Sequence, residues 1–222
     1  MIFFSVDNVF FRVLGYPLSY IELSATLLIV IYVLLITKKI VWAWPLGIIT
    51  FSLFAALFYQ VRLYSDFFEQ FYYIGNCFYG WRVWLAMRKK TENSSEPDVT
   101  HCVMKTYFVI VSIIAVGGGL LGFTMSRIHN WLPALFPKPA AYPYIDATAT
   151  VMGFVAAGLM THKKIEAWIL WICVNSICIW LYFARNVKFV AILYIFFLAL
   201  AINGLITWTK EFNRKNKSLY YS

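Results

Sequence analysis

Charge is what this sequence has least of: only 13% of its 222 residues are charged, 10 of them acidic, against 62% hydrophobic and 20% aromatic. With a mean hydropathy of +0.71, such a chain is too apolar for a soluble domain and reads as an integral membrane protein. Histidine is scarce as well, and His101, His129 and His162 form no ligand-spaced cluster, so no metal is expected. Cys77, Cys102, Cys173 and Cys178 contain no C-x-x-C pair and read as small packing residues rather than a disulfide or zinc framework. No P-loop, H-E-x-x-H, G-x-S-x-G or pair of aspartates within the apolar runs is present, and no cofactor or catalytic constellation is expected. A carboxylate or histidine relay through the apolar runs is missing too, which points to passive movement of a solute. Residues 1–15 lack the basic start and small-residue cleavage site of a signal peptide, and their Phe3, Phe4, Val9, Phe10 and Val13 predict a short interfacial helix.

What the chain does have is length in its apolar runs. They fall at roughly 20–37, 41–59, 67–86, 104–124, 145–161, 165–184 and 188–208, near the ~20 residues that cross a bilayer as helix. Seven spans are predicted, and runs of this length argue against an outer-membrane barrel. The net charge of +9 sits in loops and tails, so it implies no nucleic-acid partner. One set of loops holds Arg12, Arg62, Arg127, Lys138, Arg185 and Lys188. The other holds Lys38, Lys39, Arg88, Lys89, Lys90, Lys105, Lys163, Lys164, Lys210, Arg214, Lys215 and Lys217. The richer set predicts a cytoplasmic C-terminus and an extracytoplasmic N-terminus.

At a shift of 124 residues, Tyr20-Ile-Glu-Leu-Ser-Ala-Thr26 lies over Tyr144-Ile-Asp-Ala-Thr-Ala-Thr150, and Thr37, Lys39, Ala43 and Trp44 lie over Thr161, Lys163, Ala167 and Trp168. Without a change of register Gly80 and Trp84 fall on Gly204 and Trp208. The expected fold is therefore an all-α integral membrane protein of seven helices, with two parallel three-helix repeats joined by a fourth, inverting helix, a 3+1+3 arrangement. Its parts are the interfacial 1–15, a first bundle at 16–90, a polar mobile linker at 91–103, linker helix 104–124, a proline-rich extracytoplasmic loop at 125–143, a second bundle at 144–208 and a basic tail at 209–222. The Gly117-Gly-Gly119 and Gly118-x-x-x-Gly122 pattern in the fourth helix reads as close helix packing.

The sixth run carries the most chemistry. Wound at 100° per residue, Trp168, Trp171, Asn175 and Tyr182 fall within about 60° of one another, while Ile172, Val174 and Ile177 form an aliphatic back. Trp180 points away and suits packing or lipid. On helix 3, Glu69, Gln70, Tyr73, Asn76 and Gly80 share a face, and helix 7 adds Asn203. An amide at hydrocarbon depth costs too much to face lipid. Each could simply hold neighbouring helices, at about 0.6 kcal/mol apiece, but amides from three helices beside a tryptophan stripe read as the lining of a binding site. Glu22, Asp146 and Glu166 stand at helix starts, where a carboxylate is favourable without any function. In the first repeat Trp44 matches Trp168, but Gly47 and Phe51 stand where the second has Trp171 and Asn175, so Pro45 and Gly47 are expected to give a hinge.

Two segments, Trp168-x-x-Trp171-x-x-x-Asn175 with Trp180-Leu-Tyr182, and Tyr64-Ser-Asp66-x-x-x-Gln70-x-x-Tyr73-x-x-Asn76-x-x-Tyr79-Gly80-Trp81, resemble the PnuC family of bacterial vitamin transporters. The resemblance extends over nearly the whole chain, and the 3+1+3 parallel repeat is similar to the SWEET-like arrangement of that family. It implies an inner-membrane facilitator for nicotinamide riboside, not an enzyme, with uptake driven by phosphorylation by a separate cytoplasmic kinase. The binding residues it suggests are Trp168, Trp171, Asn175, Tyr182, Gln70, Tyr73, Asn76 and Asn203. Relatives that carry thiamine or riboflavin keep those flat vitamins open as substrates; a receptor or an embedded enzyme on the same scaffold is the alternative from another class, and self-association into a homo-oligomer is compatible with the sequence.

Overall fold

The computed structural model describes residues 5–6, 8–13, 16–60, 64–91, 99–134, 136, 139–184 and 188–220. The chain divides into two compact units, Met1–Asp98 with Lys210–Ser222, and Val99–Thr209. Seven helices carry the fold: α1 (Tyr20–Thr37), α2 (Ala43–Gln60), α3 (Tyr64–Thr91), α4 (Met104–Trp131), α5 (Pro143–Thr161), α6 (Glu166–Ala184) and α7 (Lys188–Tyr220). Six of them are long and apolar enough to cross a membrane; the remaining one, α3, is the polar helix that carries Glu69, Gln70 and Asn76.

In the first unit the chain enters through an antiparallel hairpin, β1 (Val9–Val13) and β2 (Tyr16–Ser19), where an interfacial helix was expected. Val9-Phe-Phe-Arg-Val13 is β-branched and aromatic, which favours a pleated strand over a helix of this length. Ser19 then caps α1, its Oγ accepting from the Glu22 amide at 3.3 Å. Helix α2 packs between α1 and α3. It runs unbroken past Pro45, whose missing N–H falls in the first turn, where no intrahelical acceptor exists.

In the second unit α5 packs against both α4 and α6. Helix α4 reaches Trp131, seven residues past its expected end at 124, so the proline-rich loop contracts to 132–142. The glycines of α4 do serve close approach: a Cβ on Gly118 would come within 2.9 Å of Thr148 Oγ1, and one on Gly122 within 2.5 Å of Tyr144. Helix α7 is 33 residues long, about 50 Å, and carries the expected basic tail as helix as far as Tyr220. Of the expected mobile linker, residues 92–98 lie outside the described residues.

The shift of 124 reappears in the geometry. Lys39 (φ 57°) and Lys163 (φ 52°) both adopt the left-handed conformation just after α1 and α5. In each case the next amide donates back five residues, Ile40 to Leu35 at 2.9 Å and Lys164 to Leu159 at 3.0 Å, a Schellman closure that turns the chain into the following helix. Thr37 and Thr161 bond the carbonyls of Val33 and Ala157 one turn earlier. Side chains such as Leu27, Ile31, Val111, Leu120, Ile195 and Phe196 remain exposed on the outer faces, as lipid contact requires.

Candidate functional site

The same register places two indoles in matching seats. Trp44 of α2 lies edge-on to Trp84 of α3, ring centroids 5.2 Å apart at 87°. Trp168 of α6 lies edge-on to Trp208 of α7, at 5.5 Å and 87°. Each ring fills a notch left by a glycine: a Cβ on Gly80 would stand 2.4 Å from Trp44, and one on Gly204 would stand 2.6 Å from Trp168. Trp168 is 2% exposed, and the Nε1 groups of both tryptophans are buried with no hydrogen-bond partner among the described residues. Trp168, expected as a stacking face, is thus held as the keystone between α6 and α7, as Trp44 is between α2 and α3.

One turn further along α6 the two repeats diverge. Trp171 is half-buried against the cluster of Ala149, Val174 and Cys178, with Tyr182 and Tyr194 packed on the same cluster. Tyr182 stacks on Tyr194 of α7, centroids 5.3 Å apart at 16°. Val174 and Ile177, the expected aliphatic back, pack toward α5 at this cluster rather than toward lipid. Trp180 is exposed, with Tyr142 edge-on at 5.2 Å. Asn175 is only 5% exposed, and its Nδ2 donates to the Trp171 carbonyl at 2.7 Å. Because a carbonyl can only accept, that bond fixes the flip of the amide and turns Oδ1 outward, with no partner among the described residues.

Helix α3 repeats this device in the first unit. Gln70, 6% exposed, donates through Nε2 to the Asp66 carbonyl at 3.0 Å and likewise leaves its oxygen without a partner among the described residues. Tyr73 donates to Glu69 at 3.1 Å and stacks on Phe51, the counterpart of Asn175, at 5.1 Å and 22°. Asn76 is half-buried on the same helix, and Asn203 of α7 is exposed. A Cβ on Gly47 would stand 2.7 Å from Cys77 Sγ and 2.8 Å from Tyr32, so that glycine makes room for neighbours in the closed bundle. Of the expected residues, the structure groups Trp171, Asn175 and Tyr182 on one stretch of α6 and Gln70, Tyr73 and Asn76 on α3, each within its own unit.

Glu166 had been read as a simple helix start. It is buried, and its carboxylate accepts from His101 Nδ1 at 2.8 Å, the Cys102 amide at 3.0 Å and Tyr107 Oη at 2.6 Å. Burial and the adjoining carboxylate push the Cys102 thiol up to about 11, which keeps it inert at neutral pH. Sequence spacing gave no sign of this cluster, because 60-odd residues separate the donors from the acceptor.

Six long apolar helices, with buried amides and aromatic stacks inside each unit, define a multi-pass membrane protein. Residues 19–210 match the family described as nicotinamide mononucleotide transporter, and the chain belongs to that family, which includes the PnuC proteins. It is 26% identical over 227 residues to the nicotinamide riboside transporter PnuC of Escherichia coli (strain K12), covering 94% of each chain. To the nicotinamide riboside transporter PnuC of Neisseria mucosa it is 25% identical over 208 residues, covering 89% of this chain and 75% of that one. A crystal structure of the vitamin B3 transporter PnuC superposes with a TM-score of 0.65 at 22% identity, covering 88% of this chain and 83% of that one.

Proposed function

We propose that this chain carries nicotinamide riboside across the bacterial inner membrane by facilitated diffusion, and that a separate cytoplasmic kinase draws uptake forward by phosphorylating the arriving substrate. The observation that carries the reading is the pair of buried amides, Asn175 and Gln70, each tied through its nitrogen to the carbonyl four residues earlier and each left with an oxygen to accept. A carboxamide NH2 is the natural donor to such oxygens. Trp171 offers its indole to the pyridinium ring, a cation–π contact worth about 2 kcal/mol or more once desolvated. Tyr73, Asn76, Tyr182 and Asn203 supply partners for ribose hydroxyls, and Trp168 sets the position of α6. The family description names the mononucleotide, whereas the curated relatives are named for the riboside. The riboside is favoured because a phosphate needs cations, and away from the ends of the apolar runs, where Lys105 and Lys188 stand, Arg82, exposed on α3, is the one cationic side chain.

The orientation, from the loop charges, puts the α1–α2 and α5–α6 turns and the C-terminus in the cytoplasm. The parallel 3+1+3 repeat is supported by the matched lysine turns and tryptophan seats.

Purified protein in empty proteoliposomes should show saturable uptake of labelled nicotinamide riboside without a sodium or proton gradient. Trp171→Ala and Asn175→Leu should each weaken calorimetric binding at least about tenfold. Saturable flux of thiamine or riboflavin in place of the riboside would move the substrate assignment, and flux of none of them would sink the transporter reading.

A further inference from the structure

The turn between α1 and α2 and the turn between α5 and α6 share their backbone geometry but not their neighbours. In the second unit residues 99–102 lie along the turn like a strand. The Thr100 amide donates to Lys163 O at 3.2 Å, the Ile165 amide donates to Thr100 O at 3.1 Å, and Val99 is fully buried. Lys164 Nζ adds bonds to Thr100 Oγ1 at 2.8 Å and His101 O at 3.2 Å. At the matching place in the first unit no strand lies among the described residues, and the Val41 amide, counterpart of the Ile165 amide, has no partner among them. A cavity of about 540 Å³ opens there, lined by Lys39, Ile40, Trp42, Trp81, Leu85 and Arg88 around Val41.

The lining has also changed character. A shift of 124 sets Trp42 over Glu166 and Arg88 over Phe212, so an indole replaces the buried carboxylate and a guanidinium is gained. No carboxylate lines the cavity; Glu211 pairs with Lys39 from α7. Trp42 is 73% exposed, and Ile40 and Leu85 continue the rim as exposed aliphatic surface. A guanidinium, a lysine shared with Glu211, two indoles and an apolar rim at the end of a spanning bundle match an amphiphilic anion at the membrane–water boundary.

We propose that this cavity holds the headgroup of an anionic phospholipid, its phosphate between Arg88 and Lys39, its glycerol region against Trp42 and Trp81, and its acyl chains along Ile40 and Leu85. An inorganic phosphate shares the charge but has no use for the indoles and aliphatic rim.

The test uses the full chain in phosphatidylcholine nanodiscs, doped with phosphatidylglycerol or supplied with inorganic phosphate. Phosphatidylglycerol should raise the Tm by roughly 3 °C or more and be retained in native mass spectra, while phosphate should do neither. Arg88→Gln should cut retained phosphatidylglycerol about fivefold, Arg88→Gln with Trp42→Ala should cut it further, and Arg88→Lys should restore most of it. Arg127→Gln, a cation on α4 outside the cavity, should change nothing. Equal retention of the two lipids, no effect of Arg88→Gln, or the same Tm rise from phosphate alone would each overturn the proposal. None of these readouts depends on the transported substrate.

Discussion

Adding one methyl group at Gly80 or Gly204 tests whether the two tryptophan seats hold the bundles together. The added Cβ would stand 2.4 Å from Trp44 or 2.6 Å from Trp168, against the roughly 3.5–4.0 Å that carbon atoms prefer. An edge-on partner behind each ring, Trp84 or Trp208, leaves the indole little room to retreat. The ring must therefore move by about 1 Å against a packed wall, and overpacking of this kind costs about 1–3 kcal/mol. For a chain of this length each kcal/mol lowers the Tm by about 2–4 °C, so Gly80→Ala and Gly204→Ala should melt roughly 2–12 °C below wild type in detergent. Gly119→Ala is the control: its Cβ meets nothing within 4 Å, and the helix propensity of alanine favours it by up to about 1 kcal/mol. Intrinsic fluorescence is a suitable probe, since the perturbed residues are themselves tryptophans. Either seat variant melting at or above Gly119→Ala would refute the keystone reading.

Replacing Glu166 with Gln removes the charge that takes three hydrogen bonds, and should lower stability by about 1.5–3 kcal/mol. It should also lower the Cys102 pKa from about 11, because the carboxylate that opposes thiolate formation is gone; alkylation of Cys102 in a background without the other cysteines should then begin at lower pH. An unchanged labelling profile would remove Glu166 from the account of that thiol. Pro45→Ala should transport at the wild-type rate, since Pro45 lies in the first turn of an unbroken α2; a slowed rate with normal binding would restore the hinge. Tyr182→Leu should weaken substrate binding less than Trp171→Ala, because Tyr182 is already stacked on Tyr194; calorimetry on the two variants decides the order.

The helices were legible because each is written as one apolar run, and the repeat because Trp44, Gly80 and Trp84 recur at the same spacing as Trp168, Gly204 and Trp208. The hairpin Val9–Ser19 was misread because a short run of alternating apolar residues suits strand and interfacial helix equally. The stripe on α6 is a wheel projection, and a wheel cannot say which of its rings is walled in: Trp168 packs on Trp208, whereas Trp171 and Tyr182 share a cluster with Val174 and Ile177. Only Gly204 and Trp208, 36 and 40 residues further along, decide that Trp168 is walled in, and the repeat contained that hint in Gly80 and Trp84. The Glu166 cluster was invisible for a related reason: its donors come from the segment before α4 and from the start of α4 itself, and nothing local announces that Thr100 will lie beside Lys164.

The anchored amides of Asn175 and Gln70 carry a consequence for what the protein refuses. Both present an acceptor oxygen, and one of the two N–H groups of each NH2 is spent on the helix backbone. A pyridine nucleoside whose carboxamide has become a carboxylate would have no hydrogen to give those oxygens and a charge to desolvate. An uncharged pair of side chains would in this way separate amide from acid without a cation in the lining.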